Sequence, residues 1–254
     1  MRKGWLARKR HQRAQRALER QLEYQESKAQ TLRGHERDTI LRMLQSSQRV
    51  REMLASICPI GAAARVLEVG SGAHGLIFYF GADNGVGIDP LAVSYAKLFP
   101  AWQSRAPTVA AIGEALPFSD QAFDLVLCEN VVDHAEAPAK IVAELARVLA
   151  SGGLLYFTVN IHHPVYHFAA ELNSLWSAAG VPYEIGPFVD HTVHLTRNGA
   201  RRLFIGLPLR LLQESADIAA AKLRGRQMHA RHAGDRLKRL FFKNALYEVI
   251  AVRE

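Results

Sequence analysis

The sequence predicts an α/β fold built on a mostly parallel sheet, on three observations. From residue 65 onward short apolar runs alternate with helical segments, the pattern of strands joined by crossover helices. One of those runs leads directly into a glycine-rich turn that opens a helix. Ahead of them, Ala7 to Leu54 contains no proline and is rich in Arg, Gln, Glu, Leu and Ala, all strong helix formers.

In chain order, Leu18 and Leu22, then Ile40, Leu41, Leu44, Val50 and Leu54, recur at helical spacing, and Gly34 is expected to separate two helices. Ile57-Cys-Pro-Ile-Gly61 reads as a stop. The expected division is a basic helical extension over 1–56 and a main domain over 57–254. Strands are expected at Arg65–Val69, Val86–Ile88, Val109–Ile112, Leu125–Leu127, Leu154–Val159, Leu209–Gln213 and Tyr247–Val252. Helices fit near Gly75–Phe80, Leu91–Leu98 and Pro138–Leu149, where Ser151-Gly-Gly153 closes the last. The alternation breaks after Asn160. Residues 161–195 read as an insertion, Thr196–Gly206 resumes a helix, and a second basic helical insertion spans 215–240.

The chain has 254 residues, enough for one large domain or two small ones, with 49% hydrophobic and 22% charged residues. No apolar run approaches the ~20 residues needed to cross a bilayer, and the basic N-terminus has no apolar segment after it. Cys58 and Cys128 are too few for a disulfide framework, so a reducing cytoplasm is the expected setting. The net charge of +8 is unevenly placed. Residues 1–56 hold 14 Lys/Arg against 6 Asp/Glu, 57–221 hold 9 against 15, and 222–254 hold 9 against 3. An acidic centre between basic flanks points to a small-molecule site with positive edges more than to a nucleic-acid surface.

The chemistry gathers at Arg65-Val-Leu-Glu-Val-Gly-Ser-Gly-Ala-His-Gly75, an apolar strand running into a glycine loop. Glycines allow the backbone to turn tightly and lie against a ligand. By itself G-x-G-x-x-G also suits a nicotinamide enzyme, so an NAD-dependent oxidoreductase stands as an alternative. Three features narrow the choice. Asp89 ends Gly85-Val-Gly-Ile-Asp-Pro90, where a carboxylate accepts both ribose hydroxyls of an adenosine. Gly113-Glu-Ala-Leu-Pro-Phe118 follows the third strand. Phe123-Asp-Leu-Val-Leu-Cys-Glu-Asn-Val-Val-Asp-His134 is an apolar strand with polar residues at its carboxyl end, the edge where open α/β sheets bind ligands.

With these motifs in that order, residues 65–160 resemble the class I S-adenosylmethionine-dependent methyltransferases of the small-molecule, single-domain type. The resemblance implies a Rossmann-like fold with a seven-stranded, mostly parallel sheet, helices on both faces and an antiparallel last strand. S-adenosyl-L-methionine is the cofactor it implies. Glu68, Gly70, Ser71 and Gly72 would line its methionine and ribose part, and Asp89 would hold the ribose hydroxyls. Pro90 or Leu91 would flank the adenine, Glu114 and Ala115 would sit at its edge, and Glu129 and Asn130 would border the methionine.

The implied reaction is methyl transfer to a small-molecule or lipid- or sugar-linked acceptor, with a hydroxyl as the expected target. A base is useful there, and His162, His163 and His194 are the expected candidates, loop and cap roles being the plainer alternative for each. His134, His167 and His191 lie in the same stretches. A metal held by His162, His163 or His191 with Asp190 matches no established spacing, and none is expected. The insertion 161–195, with Tyr166, Phe168, Trp176 and Tyr183, is expected to be an acceptor-site lid. The basic ends (Arg8, Lys9, Arg10, Arg13 and Arg16; Lys222, Arg224, Arg226, Arg231, Arg236, Lys238 and Arg239) are expected to meet solvent, an anionic inner membrane surface or a phosphorylated acceptor. Aromatic residues are nearly absent among them, which disfavours single-stranded RNA. An RNA-associated methyltransferase or a non-catalytic scaffold remains the competing reading.

Overall fold

The computed structural model describes residues 2–168, 193–227 and 241–254, the side chains of 2–14 and 17 excepted. Two helices come first, α1 (Arg2–Leu32) and α2 (Arg37–Ala55). Gly34 between them adopts φ +77°, a left-handed turn with open space around it. Seven strands follow: β1 (Arg65–Val69), β2 (Asn84–Ile88), β3 (Thr108–Val109), β4 (Phe123–Glu129), β5 (Leu149–Ile161), β6 (Leu209–Ala216) and β7 (Ala245–Arg253). Between them lie α3 (Ala92–Leu98), α4 (Pro100–Gln103), α5 (Pro138–Val148), α6 (Arg197–Arg202) and α7 (Ile218–Gln227).

The strands form one sheet in the order β3-β2-β1-β4-β5-β7-β6. Pairings among β1 to β5 are parallel, while β7 lies antiparallel between β5 and β6. Strand order reverses at β1 and β4, which puts a crevice outside their carboxyl ends. The central strands are apolar on both faces, as parallel strands covered by helices must be. On one face Val66, Leu125, Leu127, Leu154 and Tyr156 pack under Met43, Val50 and Leu54 of α2. On the other, Leu67, Val69, Val126, Phe157 and Val159 pack under Ile141, Val142, Leu145 and Val148 of α5. The second of the two N-terminal helices is therefore built into the main core.

Several expected boundaries move. The strand expected at Val109–Ile112 is cut to Thr108–Val109, because β2 turns away at Asp89-Pro90 and proline has no N–H to continue the ladder. The helix expected at Gly75–Phe80 is a tight 3-10 turn over Leu76–Tyr79, followed by Gly81 at φ +74°. Ser151-Gly-Gly153 lies inside β5, where Gly152 at φ +75° accompanies a shift of register between Phe123 and Leu125 on β4. Most of the 161–195 insertion, together with 228–240 of the second basic stretch, lies outside the described residues.

Candidate cofactor and acceptor site

The glycine loop is fixed from below. The N–H groups of Gly70 and Ser71 both donate to the Ile88 carbonyl, at 2.8 and 2.9 Å, tying the loop to the end of β2. Ser71 is buried, its side chain turned toward Gly87, where an added Cβ would lie 2.7 Å from Ser71 Oγ. Glu68 is also buried, and its carboxylate oxygens accept from the N–H groups of Leu76 and Ile77 at 3.0 and 2.9 Å. Burial pushes this carboxyl up to about 8, opposed by those two hydrogen bonds and reinforced by Glu129 and Asp89. Glu68 and Ser71 thus brace the loop through these contacts. Gly75 must be glycine, since a Cβ there would collide with Glu68 Oε2 and with the Ser71 carbonyl.

Gly70 and Gly72 stand at φ +73° and +51°. A Cβ on Gly70 would strike Val131, two residues after the end of β4. Around Gly72 the space is open, the nearest atoms being Gly70 O at 3.9 Å and Asp89 Oδ2 at 4.0 Å. Asp89 accepts from Gly72 N–H at 3.1 Å through one oxygen and from Leu91 N–H at 2.8 Å through the other. Each oxygen keeps a lone pair for a further donor, and burial raises the carboxyl from its ordinary value. Pro90 beside it is exposed.

Two supports of this loop were not legible in the motifs. Trp102 Nε1 donates to the Ala73 carbonyl at 2.7 Å, and Gln103 Nε2 lies 3.1 Å from both the Gly72 and Ala73 carbonyls. Their helix, α4, lies about thirty residues downstream, a distance no local pattern signals. Opposite the loop, Asn130 stands at φ +53°, its N–H donating to the Thr158 carbonyl at 3.0 Å. Its Oδ1 accepts from Asn160 Nδ2 at 3.1 Å. Glu129 precedes it, half-buried, its carboxyl raised by burial and lowered by Arg49. Glu114 lies on the far side, where its carboxylate accepts from the N–H groups of Glu136 and Ala137 and caps the approach to α5; Ala115 next to it is exposed.

Residues 67–157 match the family model described as a methyltransferase domain. The chain carries a class I methyltransferase domain. An uncharacterized methyltransferase of Mycobacterium leprae is 33% identical over 149 residues, 56% of this chain and 46% of the relative. The malonyl-[acyl-carrier protein] O-methyltransferase of Legionella pneumophila is 30% identical over 138 residues, 51% of this chain and 46% of that one. Ajmaline N-methyltransferase of Rauvolfia serpentina is 31% identical over 105 residues, 38% of this chain and 36% of that one. The chain spans just under half the length of the relatives most similar in sequence. Among solved structures, geranyl diphosphate C-methyltransferase from Streptomyces coelicolor, crystallised with Mg²⁺, geranyl diphosphate and S-adenosyl-L-homocysteine, superposes with a TM-score of 0.57 at 14% identity, covering 86% of this chain and 84% of that one. YcgJ of Bacillus subtilis gives 0.55 at 18%, covering 82% and 99%.

The crevice of the methyltransferase domain fits the cofactor of its class. A cradle that a Cβ on Gly70 would disturb, open space above Gly72 and an Asp89 carboxylate with unused lone pairs suit a nucleoside with a ribose diol.

Beyond β5 the expected histidines separate into two environments. His162 and His194 are buried, with ring centroids 4.8 Å apart. His162 Nδ1 lies 2.5 Å from the Lys243 carbonyl. A carbonyl only accepts, so Nδ1 carries the proton and a neutral ring presents Nε2 as the basic atom. His163 is half-buried, its ring tilted against Phe241 and edge-on to Phe242, and its Nδ1 accepts from Val165 N–H at 3.3 Å. Its burial, with Lys222 nearby, lowers its pKa. Asp133, near the end of the fourth-strand motif, is fully buried and its carbonyl accepts from Val193 N–H, next to His194. His191 and Asp190, the other ligands weighed for a metal, lie outside the described residues. A concavity lined by Cys58, Pro59, Asp124 and Gly152 opens at the opposite, amino edge of the sheet, away from all of this chemistry.

Proposed function

We propose that this chain transfers a methyl group from S-adenosyl-L-methionine to a small-molecule or lipid- or sugar-linked acceptor, with a hydroxyl as the receiving group. The observation that carries the reading is the Asp89 carboxylate holding Gly72 beside open space at the point where strand order reverses. Bound S-adenosylmethionine supplies a methyl group on a sulfonium, already a strong electrophile. The residues therefore need only bind, align and exclude water, effects worth roughly 7–11 kcal/mol in the best cases.

His162 is the residue assigned to take the acceptor's proton. Its Nδ1–H donates to the Lys243 carbonyl, which fixes the ring; such a base adds about 10²- to 10⁴-fold. His194 packs against it and completes the wall. The sequence relatives named O- and N-methyltransferases support the reaction class at both kinds of atom; the hydroxyl preference rests on the buried histidine pair. No helix among the described residues is long and apolar enough to cross a membrane.

Calorimetric titration with S-adenosylhomocysteine and with NAD tests the cofactor. Binding of the first and not the second is expected, and binding of NAD alone overturns the proposal. With isotope-labelled cofactor and a cell extract, His162→Ala is expected to lower label transfer at least about 100-fold while leaving S-adenosylhomocysteine affinity within twofold. An unchanged transfer rate removes His162 from the role.

A further inference from the structure

On the face of the sheet covered by α2 a polar row crosses three strands. Thr158 of β5 is the direct register partner of Glu129 on β4 and of Glu248 on β7, so the three side chains stand side by side. Tyr156, two residues back on the same face, donates to Glu248 Oε2 at 2.9 Å and lies 3.5 Å from Glu129 Oε1. Its single proton serves one carboxylate at a time. Arg49 of α2 hydrogen-bonds Tyr156 and attracts Glu129, and it is exposed, so the row opens toward solvent beside α2. Thr158 is fully buried, and its Oγ1 has no hydrogen-bond partner. Asn160, next along that face, reaches Asn130 at the crevice.

Two carboxylates face one guanidinium here, and Glu248 is close enough to Glu129 to oppose its ionisation. The row therefore keeps an excess negative charge around a buried hydroxyl that lacks a partner. A buried hydroxyl without a hydrogen bond is costly, and native structures leave few of them. The ligand that satisfies all three groups carries positive charge and several N–H donors. An ammonium has that charge and two or three donors, and charge-assisted N–H···carboxylate bonds are the strong ones. A neutral hydroxyl offers one donor, and a quaternary ammonium offers none.

We propose that the row of Glu129, Thr158 and Glu248 binds a protonated primary or secondary amine carried by the methyl acceptor. This rests on the carboxyl edge being the site of transfer. The row starts beside the cofactor's cradle, at Glu129 on β4, and its far end stands apart from it: β7 is three strands from β1, roughly 14 Å at about 4.8 Å per strand. The acceptor so defined bears an amine anchored beside α2 and a second group, the hydroxyl, directed to the crevice.

The test uses the full chain saturated with S-adenosylhomocysteine and follows n-butylamine, 1-butanol and butyrate by saturation-transfer NMR at pH 7.5. The amine is expected to bind at least tenfold more tightly than the alcohol, and butyrate to be rejected. Glu248→Gln is expected to weaken the amine at least tenfold, while S-adenosylhomocysteine affinity stays within twofold. Thr158→Val, which keeps the volume and removes the hydroxyl, is expected to weaken it three- to tenfold and serves if Glu248→Gln does not fold. Equal binding of amine and alcohol, or amine affinity unchanged in the folded variants, overturns the proposal. If S-adenosylhomocysteine itself fails to bind, the methyl-transfer reading falls instead. The same amine series on the chain alone then decides the row on its own.

Discussion

Gly70 and Gly72 look equivalent in the sequence and are not equivalent in space. Both have positive φ, which costs an L-residue about 1–3 kcal/mol. Only Gly70 also faces Val131 at collision distance, whereas Gly72 faces open crevice. Gly70→Ala is therefore expected to lose more stability in urea denaturation than Gly72→Ala, and Gly72→Ala to lose more affinity than stability. Asp89→Ala removes the carboxylate that both pins Gly72 N–H and offers lone pairs to a ribose, so S-adenosylhomocysteine affinity is expected to fall at least about tenfold. Unchanged affinity by calorimetry means the ribose lies elsewhere. Glu68 gives a pH signature. Its folded carboxyl keeps a proton up to about 8, while the unfolded one releases it near 4.5. The folded state thus binds more protons in that window, so its stability falls as pH rises from 4.5 to about 8 and levels off above. The slope is at most about 1.4 kcal/mol per pH unit. Melting temperatures at pH 5, 6.5 and 8 are expected to fall less steeply for Glu68→Gln than for the natural chain.

At the scale of elements, the glycine loop depends on a helix that does not touch it in sequence. Trp102 and Gln103 of α4 carry the loop's carbonyls, and Trp102 stacks on Phe99, with His74 against both rings. Burial lowers His74 to about 4, with Lys28 and Arg42 adding to the effect, so this ring is neutral at physiological pH. Trp102→Phe keeps most of the packing and deletes one hydrogen bond, which is worth about 0.5–1.5 kcal/mol. The expected result is a modest drop in melting temperature together with a several-fold loss of S-adenosylhomocysteine affinity. Affinity equal to that of the natural chain means the loop holds its shape without α4. The helix α2 acts differently, by volume. Leu54 is fully buried against the sheet, and Leu54→Ala is expected to cost about 2–5 kcal/mol in denaturant titration, far from any ligand.

For the whole molecule, the N-terminal helices are the surprise. Composition marks residues 1–56 as a basic extension, yet Met43, Val50 and Leu54 share a core with Val66, Phe78 and Tyr156. Removing residues 1–55 uncovers that face of the sheet, and the product is expected to aggregate, seen as loss of the monomer-sized peak in gel filtration. A soluble, monomeric product that binds S-adenosylhomocysteine means the core closes without α2. Asp89 and Glu129, at the ends of β2 and β4, give the acidic middle of the chain a place at the carboxyl edge.

Sequence alone determined the order of strands and helices, the glycine loop and Asp89. These depend on local periodicity and on residue types whose backbone or charge leaves few options. Glycine at φ above zero and a carboxylate at a strand end are visible one residue at a time. What tertiary structure decided is which side chains face the crevice. Glu68 turns to the N–H groups of Leu76 and Ile77 and Glu114 to those of Glu136 and Ala137, segments 8 to 23 residues away. The row of Glu129, Thr158 and Glu248 exists only through the register of β4, β5 and β7, which joins positions 119 residues apart at its ends. Pairing register is a long-range quantity, set by which apolar faces close on each other, and no local pattern carries it.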